Sequence, residues 1–519
     1  MEWAELVEER GERNEQGDVI ALSLSELNLG TLPTEIDQLT VLTTLNVSEN
    51  RLRTLPVEIG QLTTLTRLNL HRNRLQTLPA EIGQLRELTT VDTSFNRLQT
   101  LPVEIGQLTN LTALYVAVNR LETLPAEISQ LSALTILGFS YNHLRVLPVW
   151  IGQLTNLNTL YVAGTQLQTL PVEIGQLTAL TELDVGDNEL QTLPAEIGQL
   201  TALTELDVSD NRLGTLPSQI GQLTALATFK IQVNRLETLP AEIVQLTALT
   251  ELDVAANQLE SLPAEIVQLT NLTTLDVSGN GLQNLPTEIV QLTALTELDI
   301  SCNELQILPL EIGNLTTLTS LEVSCNQIRA LPAEIGLLEA LTELYVSGNP
   351  LQTLPTWIGQ LTNLTTLSIA GNRLETLPPE VGILEALTEL CVSRNELQTL
   401  PTWIGQLTNL TKLDVSDNQL RVLPTEIGQL TNLTTLNVLD NQLQILPPIV
   451  HHCYVNVNGM DQNLVQSSHE RWNKRAEIGL SYGVCWTRRR RGSQREGLAR
   501  LPRMITRHVL GLLFGGYDE

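Results

Sequence analysis

Apolar residues recur along most of the chain with a period of 23 residues. Counted from Leu42, the unit runs Leu-x-x-Leu-x-Val-x-x-Asn-x-Leu and continues as Leu-Pro-x-Glu-Ile-Gly-Gln-Leu. Leu45 and Val47 alternate with polar neighbours, which is the pattern of a short strand with one buried face. The second half, from Leu55, predicts a helical turn with proline at its first position and glutamate near its positive end. Each unit therefore predicts one strand and one turn.

Proline and asparagine mark the register of this repeat. Proline occupies 19 positions spaced by 23, from Pro33 to Pro447, and asparagine keeps the same period from Asn50 to Asn441 except at Thr165. A buried amide at the turn satisfies backbone groups of its own and the neighbouring repeat, which a hydrophobic side chain cannot do. We therefore expect a structural ladder of asparagines, which includes Asn50, Asn73, Asn96, Asn119, Asn142, Asn188 and Asn211.

From about Val19 to Pro448, the recurring phrase LPxEIGQLTxLTxLxVSxNxL resembles the 23-residue intracellular class of leucine-rich repeat. This class occurs in Ras-associated leucine-rich proteins, plant intracellular Ras-group proteins and LAP scaffolds, and ahead of the GTPase module of Roco proteins. The resemblance implies an α/β solenoid, a leucine-rich-repeat horseshoe with a parallel β-sheet on the concave face and short helical turns on the convex face. It also implies protein binding in signalling or scaffolding, although a fold does not fix a function.

The two ends of the 519-residue chain differ from the repeats. Residues 1–18 are rich in glutamate and predict an acidic N-terminal cap over the first edge strand. Residues 19–448 form the predicted leucine-rich-repeat domain of 19 repeats. Residues 449–519 form a basic tail, in which apolar residues at helical spacing from Leu498 to Leu512 alternate with arginines. Such a segment is consistent with weak membrane contact, with partner binding, with contact to the acidic face or with an unstructured tail.

Composition excludes several classes of function. The 30 Lys and Arg against 58 Asp and Glu give a net charge of -28, so we expect no nucleic acid partner. We find no apolar run long enough for a transmembrane segment and no secretory signal at the N-terminus. The five cysteines form no CxxC pair and no disulfide framework, and we expect neither a metal nor a cofactor. Together these features predict a cytoplasmic protein in a reducing compartment.

Departures from the consensus at outward strand positions identify candidate binding residues. In repeats 3 to 7 these positions form an aromatic and basic band that includes Arg67, Arg72, Phe95, Tyr115, Tyr141 and Tyr161. Aromatic residues and arginine are enriched at binding hot spots. From repeat 8 onward the same positions become acidic, as at Asp184, Asp207, Asp253 and Asp299, which would attract a basic partner. The alternatives are drift on an exposed strand and a duplicated solubility consensus.

Two further departures from the consensus concern tryptophan and cysteine. Trp150, Trp357 and Trp403 replace the glutamate of the turn, which predicts either exposed rings at a second contact surface or rings lying across a neighbouring turn. Cys302 and Cys325 occupy equivalent positions in adjacent repeats.

We therefore expect a non-enzymatic scaffold or adaptor that binds a partner protein on its concave face in intracellular signalling. One alternative is a recognition or regulatory subunit for a separate small GTPase, because Roco proteins place G-x-x-x-x-G-K-[ST] after such repeats and the residues after Pro448 do not contain it. A remote alternative is an enzyme with a catalytic C-terminal tail that uses a thiol at Cys453 or Cys485.

Overall fold

In the computed structural model, which describes residues 3–444, 447 and 453–456, each repeat contributes a strand and a 3₁₀ turn. One helix, α1, spans Trp3–Arg10. The strands are β1 (Gly11–Arg13), β2 (Val19–Ser23), β3 (Thr44–Asn46), β4 (Arg67–Asn69), β5 (Thr90–Asp92), β6 (Ala113–Tyr115), β7 (Ile136–Gly138), β8 (Thr159–Tyr161), β9 (Glu182–Asp184), β10 (Glu205–Asp207), β11 (Thr228–Lys230), β12 (Glu251–Asp253), β13 (Thr274–Asp276), β14 (Glu297–Asp299), β15 (Ser320–Glu322), β16 (Glu343–Tyr345), β17 (Thr366–Ser368), β18 (Glu389–Cys391), β19 (Lys412–Asp414), β20 (Thr435–Asn437) and β21 (Tyr454–Asn456).

The 3₁₀ turns follow the same period. They span Thr34–Gln38, Val57–Gln61, Ala80–Gln84, Val103–Gln107, Ala126–Gln130, Val149–Gln153, Val172–Gln176, Ala195–Gln199, Ser218–Gln222, Ala241–Gln245, Ala264–Gln268, Thr287–Gln291, Leu310–Asn314, Ala333–Leu337, Thr356–Gln360, Pro379–Ile383, Thr402–Gln406 and Thr425–Gln429. Each turn begins one residue after the recurring proline, as at Pro56, whose φ is -69° and ψ 149°. The sequence-based placement of proline at the first helical position is therefore wrong by one residue, because the proline stays in the extended conformation.

The strands form one sheet in which β2 to β21 pair in chain order, each parallel to the next, so equivalent residues of successive repeats stand side by side. Leu206, for example, lies between Leu183 and Phe229. The predicted solenoid is confirmed, with the parallel sheet on the concave face and the short turns on the convex face. At the N-terminal edge β1 pairs antiparallel with β2, and α1 buries Leu6. At the other end β21 continues the sheet beyond Pro448.

The core is a column of Leu, Ile and Val side chains between the sheet and the turns. Leu45, Val47 and Ile59 are each 0% exposed, and the equivalent positions of the other repeats are buried wherever the structure describes them. A single repeat cannot bury its own core side chains, because the repeats before and after it cover them. Stability is therefore of the nearest-neighbour kind expected for solenoids.

The asparagine ladder connects each repeat to its neighbours through backbone groups. The side-chain N–H₂ of Asn73 donates to Val47 O (2.8 Å) in the preceding repeat and to Leu70 O (3.2 Å) in its own repeat. Its oxygen accepts from the N–H of Leu52 (3.0 Å). The same pattern recurs at Asn50, Asn96, Asn119, Asn142, Asn188 and Asn211. Each amide thus pairs polar groups that water cannot reach.

Thr165 replaces asparagine in this ladder and keeps only part of its hydrogen bonds. Its hydroxyl donates to Val162 O (3.0 Å) and approaches the oxygen of Asn188 (3.0 Å). The Asn188 oxygen therefore receives the Thr165 N–H as well as the usual N–H of Leu167. The next asparagine in the ladder therefore binds both the backbone N–H and the hydroxyl of Thr165.

Glycine in the convex turns allows neighbouring repeats to approach closely. A Cβ on Gly83 would lie 2.8 Å from Glu104 Cβ and 2.8 Å from Glu104 O in the next turn, which is closer than real contacts. Val244 and Val290 occupy the same position elsewhere and pack partly buried against the core. The size of the residue at this position therefore determines how closely one convex turn can approach the next.

The tryptophans of the convex side lie against the solenoid. Trp150, Trp357 and Trp403 are half-buried and pack against the core. A Cβ on Gly382 would lie 3.2 Å from Trp403 Cδ2, so that ring covers the preceding turn. Of the two alternatives, half-burial of all three tryptophans argues against large exposed rings, and Trp403 shows the other alternative, a ring that lies across a neighbouring turn.

Candidate binding face of the parallel sheet

The solvent side of the sheet presents rows of side chains, because the first and third residues of each strand point away from the core. We name these rows the first row and the third row. Strand register gives the third row the order Asn46, Asn69, Asp92, Tyr115, Gly138, Tyr161, Asp184, Asp207, Lys230, Asp253, Asp276, Asp299, Glu322 and Tyr345. The first row begins Thr44, Arg67, Thr90 and Ala113, and it becomes acidic at Glu182 and Glu205.

A third set of side chains comes from the residue before each ladder position, which we call the turn row. It includes Arg72, Phe95 and Tyr141, and all three have a left-handed backbone with φ between 50° and 57°. Such a conformation is costly for bulky residues, and Gly164 adopts it without that cost. Sequence analysis missed this constraint, although the frequency of glycine and aspartate at this slot was a signal for it. The structure thus places all ten predicted partner-binding residues on one face, in these three rows.

The basic and aromatic residues near the N-terminal end form a compact cluster. The rings of His71 and Phe95 lie 5.0 Å apart, and the Arg72 guanidinium lies 5.4 Å from the centre of the Phe95 ring. His71 Nδ1 lies 3.5 Å from Asp92 Oδ2, and Arg72 also lies 3.7 Å from Glu49. Arg67 is exposed in the first row, beside Thr90. These contacts hold the Phe95 ring between the His71 ring and the Arg72 guanidinium, and the arginine lies at a distance that cation–π interaction favours.

The tyrosines form the middle of the face. Tyr115 and Tyr161 are half-buried and lie on either side of Gly138 in the third row. Tyr161 Oη donates to Glu182 Oε2 at 2.9 Å. The Tyr141 ring lies against the backbone of Gly164, since a Cβ there would be 2.5 Å from Tyr141 Cδ1. The Tyr141 and Tyr161 rings are thus held in place before any partner arrives, which lowers the entropy cost of binding.

The tyrosines keep their protons at neutral pH. Burial, followed by the charges of Asp187 and Asp184, raises the pKa of Tyr141 to about 12. Burial and the charge of Glu182 raise the pKa of Tyr161 further. The rings are therefore neutral hydrogen-bond donors beside carboxylates.

The acidic part of the face starts at Asp184. Burial raises the pKa of Asp184 to about 7, and the charge of Asp207 adds to the rise, while the Gly186 N–H and the charge of Lys230 oppose it. Further along, burial raises the pKa of Glu322 to about 7 against the effect of its hydrogen bond with Ser324. Like-charged neighbours along one row therefore compete for ionisation, and a cation brought close to them would favour the charged forms.

Lys230 interrupts the third row between Asp207 and Asp253. Its Nζ lies 2.8 Å from Glu205 Oε1. Burial lowers the pKa of this lysine, but the hydrogen bond and charge of Glu205 outweigh burial and raise it overall. The lysine is thus a fixed cation within the acidic region.

Within residues 3–444, 447 and 453–456, no group of three or more His, Cys, Asp or Glu side chains is arranged to hold a metal ion. No helix in this described part is long and apolar enough to cross a bilayer. Burial raises the pKa of the Cys453 thiol to about 11, which disfavours the thiolate that a nucleophile needs. Cys485 and the basic segment around Leu498 lie outside the described residues.

Two family models and several solved structures match this chain. The leucine rich repeat model matches residues 40–98, 201–259, 224–282, 270–328 and 293–351, and the leucine-rich repeat region model matches residues 126–212 and 344–438. A solved leucine-rich-repeat protein of Leptospira interrogans is 39% identical, with 73% of this chain and 98% of that chain covered and a TM-score of 0.70. The chain therefore belongs to the leucine-rich-repeat family. The search of curated proteins gives no significant match.

Two other solved structures share the fold. YopM from Yersinia enterocolitica is 27% identical, with 84% of this chain and 91% of that chain covered and a TM-score of 0.61. The ectodomain of the receptor kinase GASSHO1/SCHENGEN3 from Arabidopsis thaliana, in complex with CASPARIAN STRIP INTEGRITY FACTOR 2, is 31% identical. That alignment covers 86% of this chain and 59% of the receptor chain, with a TM-score of 0.61.

Proposed function

We propose that this protein is a scaffold or adaptor that binds a partner protein on the concave face of its sheet, by binding rather than by catalysis. The proposal includes a cytoplasmic location and a role in intracellular signalling. The observation that carries it is the continuity of the third row, where half-buried Tyr115 and Tyr161 lead directly into Asp184 and Asp207. A hot spot of held aromatic rings beside a long acidic stretch suits a partner with a basic surface.

The family supports binding as the general activity. The receptor ectodomain of similar fold is in complex with another factor, and the Arabidopsis receptor kinase HAESA, 26% identical to this chain, is in complex with a peptide hormone and a co-receptor. Fold similarity gives no partner for this chain, so the partner is inferred from the chemistry of the face.

The aromatic and the acidic residues of the face contribute to binding in different ways. Phe95, Tyr115, Tyr141 and Tyr161 bury area with little loss of side-chain freedom and supply most of the binding free energy. The carboxylates of Asp184, Asp207, Asp253 and Asp299 act over longer distances and accelerate association with a basic partner. Affinity is therefore set mainly by the tyrosines, and the salt dependence mainly by the acids.

The test is a pull-down from the source organism's lysate with the full chain as bait, at low and high salt. The same experiment uses the full-length double variant Tyr115→Ala, Tyr161→Ala and a matched double variant of exposed convex residues, Gln199→Ala and Gln222→Ala. A partner that is weakened by salt, retained by the convex variant and lost by the tyrosine variant supports the proposal. A partner retained equally by both variants contradicts it.

Two other outcomes would support a different function. A partner lost only when Arg488 to Arg491 are replaced by alanine would move binding to the basic tail. A small GTPase whose capture changes between GTP and GDP would favour a regulatory subunit over a passive scaffold.

A further inference from the structure

The aromatic stretch of the third row contains a gap at Gly138. The row runs Asp92, Tyr115, Gly138, Tyr161, Asp184 on five adjacent strands. A Cβ on Gly138 would lie 3.5 Å from Tyr115 Cδ1 and 3.6 Å from Tyr161 Cδ2, which are ordinary van der Waals distances. The two rings thus flank a slot one atom thick above the Gly138 backbone. We call it the Gly138 slot.

Negative charge surrounds this slot on both sides. Asp92 is the strand neighbour of Tyr115, and Asp184 is the strand neighbour of Tyr161. Glu182 accepts the hydrogen bond from the Tyr161 hydroxyl. Burial and the charge of Asp92 raise the pKa of Tyr115, so the field of that carboxylate reaches the ring. A group between the two rings therefore lies in a negative potential with aromatic walls.

We propose that the Gly138 slot binds the guanidinium group of an arginine side chain from the partner protein. A guanidinium is planar and one atom thick, it stacks on aromatic rings, and its hydrogen-bond donors point outward in its plane. Asp92 and Asp184 supply the opposing charge at either end of the row. An ammonium group matches the charge but does not stack. This inference rests on the proposed function and names the chemical group that the tyrosines recognise.

The first part of the test uses small probes on the full-length protein. The probe is the peptide acetyl-Gly-Arg-Gly-amide, and its control is the citrulline peptide, in which a neutral urea replaces the guanidinium at almost the same shape. Titrations followed by saturation-transfer NMR are expected to show binding of the arginine peptide at least about tenfold tighter than the citrulline peptide. Equal binding of the two peptides, or no binding of the arginine peptide, overturns the inference.

The second part fills the slot. Gly138 does not adopt a left-handed backbone, so Gly138→Leu places a side chain between the rings without backbone strain. The matched control is Ser368→Leu, which adds leucine to the same row on β17, beside Tyr345 but far from Tyr115 and Tyr161. Gly138→Leu is expected to weaken the arginine peptide at least about tenfold, while Ser368→Leu leaves it unchanged. Circular dichroism checks that both variants fold, and unchanged peptide binding by folded Gly138→Leu overturns the inference.

The third part separates this inference from the proposed function. If a captured partner is lost with Tyr115→Ala plus Tyr161→Ala but binds Gly138→Leu as well as wild type, the slot is wrong and the concave-face proposal stands. If the partner binds all three proteins equally, both proposals fail. Loss of the partner in both the tyrosine variant and Gly138→Leu supports both.

Discussion

The backbone N–H of Leu190 donates to the side-chain oxygen of Asn211, 2.9 Å away in the next repeat. The same asparagine donates its N–H₂ to Val185 O and Val208 O, each at 3.0 Å. One side chain therefore hydrogen-bonds to buried backbone groups of two repeats. Continuity of the sheet depends on this local arrangement, and so does the position of every residue on the concave face.

Replacing Asn211 with alanine leaves these backbone groups unpaired in the interior. We expect a loss of about 2 to 4 kcal/mol in local stability, because each unsatisfied buried group costs about 1 to 3 kcal/mol. The measurement is hydrogen exchange of the amides in the adjoining repeats, together with the urea midpoint. The control is Asn363→Ala, since Asn363 is exposed and donates only to Glu339 O at 2.9 Å. Equal effects of the two substitutions would contradict a structural role for the ladder.

The close approach of convex turns gives a second prediction. A Cβ on Gly106 would lie 2.5 Å from Glu127 O, so Gly106→Ala forces neighbouring turns apart and is expected to cost about 1 to 3 kcal/mol. A Cβ on exposed Gly214 meets nothing within 4 Å, so Gly214→Ala is expected to be neutral or stabilising by up to about 1 kcal/mol. Urea denaturation of both variants decides the matter, and equal midpoints would rule out tight glycine packing.

Stability should depend on pH through Asp184 and Glu322. Burial raises the pKa of each to about 7, whereas unfolded carboxyls titrate near pH 4. The folded chain then binds more protons between these values, so rising pH from about 4 to about 7 lowers the stability, with no further change from these groups above that range. We expect melting temperatures measured across this interval to fall.

The control for this pH dependence is the double variant Asp184→Asn, Glu322→Gln. It removes both titrating groups, while the introduced amide keeps an oxygen for the N–H of Gly186, which donates to Asp184 in the wild type at 2.9 Å. Its melting temperature should fall less over the same interval. A variant curve as steep as that of the wild type would assign the effect to other groups.

The thiol of Cys302 should react slowly although it is exposed. Its hydrogen bond with Cys325, then burial, raise the pKa of Cys302 well above the usual value for a thiol. Less thiolate is present at neutral pH, so alkylation by iodoacetamide at about pH 7.5 is expected to be slower than that of free cysteine in the same tube. Cys325→Ala removes the largest cause and should accelerate the reaction. Mass spectrometry of the labelled peptide measures the rate, and an unchanged rate would show that the pair does not interact.

Much of the fold is predictable from the sequence because the same strand-and-turn unit recurs in each repeat. Leu45, Val47 and Asn50 are buried in the same surroundings as their equivalents in other repeats. Their spacing therefore predicts the strand, the buried amide and the stacking of repeats. The candidate face follows as well, since alternation along a strand places Tyr115 and Asp184 on the solvent side.

Features that depend on contact between repeats were harder to predict. The slot at Gly138 requires the register of β6, β7 and β8 and the direction of both tyrosine rings. The half-buried state of Trp403 depends on the glycine in the preceding turn. The left-handed backbone of Phe95 results from the turn geometry shared by all repeats, and an aromatic residue gives no sign of it.

The most direct test of the central claim is the affinity of a captured partner for the full chain and for Tyr115→Ala plus Tyr161→Ala, measured by calorimetry at low and at high salt. The account predicts that the double variant binds more than about 1 kcal/mol more weakly, roughly fivefold or more, at both salt concentrations. It also predicts that high salt weakens binding of both proteins by a similar factor, because the acidic stretch is intact in each. Unchanged affinity of the double variant would contradict binding through the concave face.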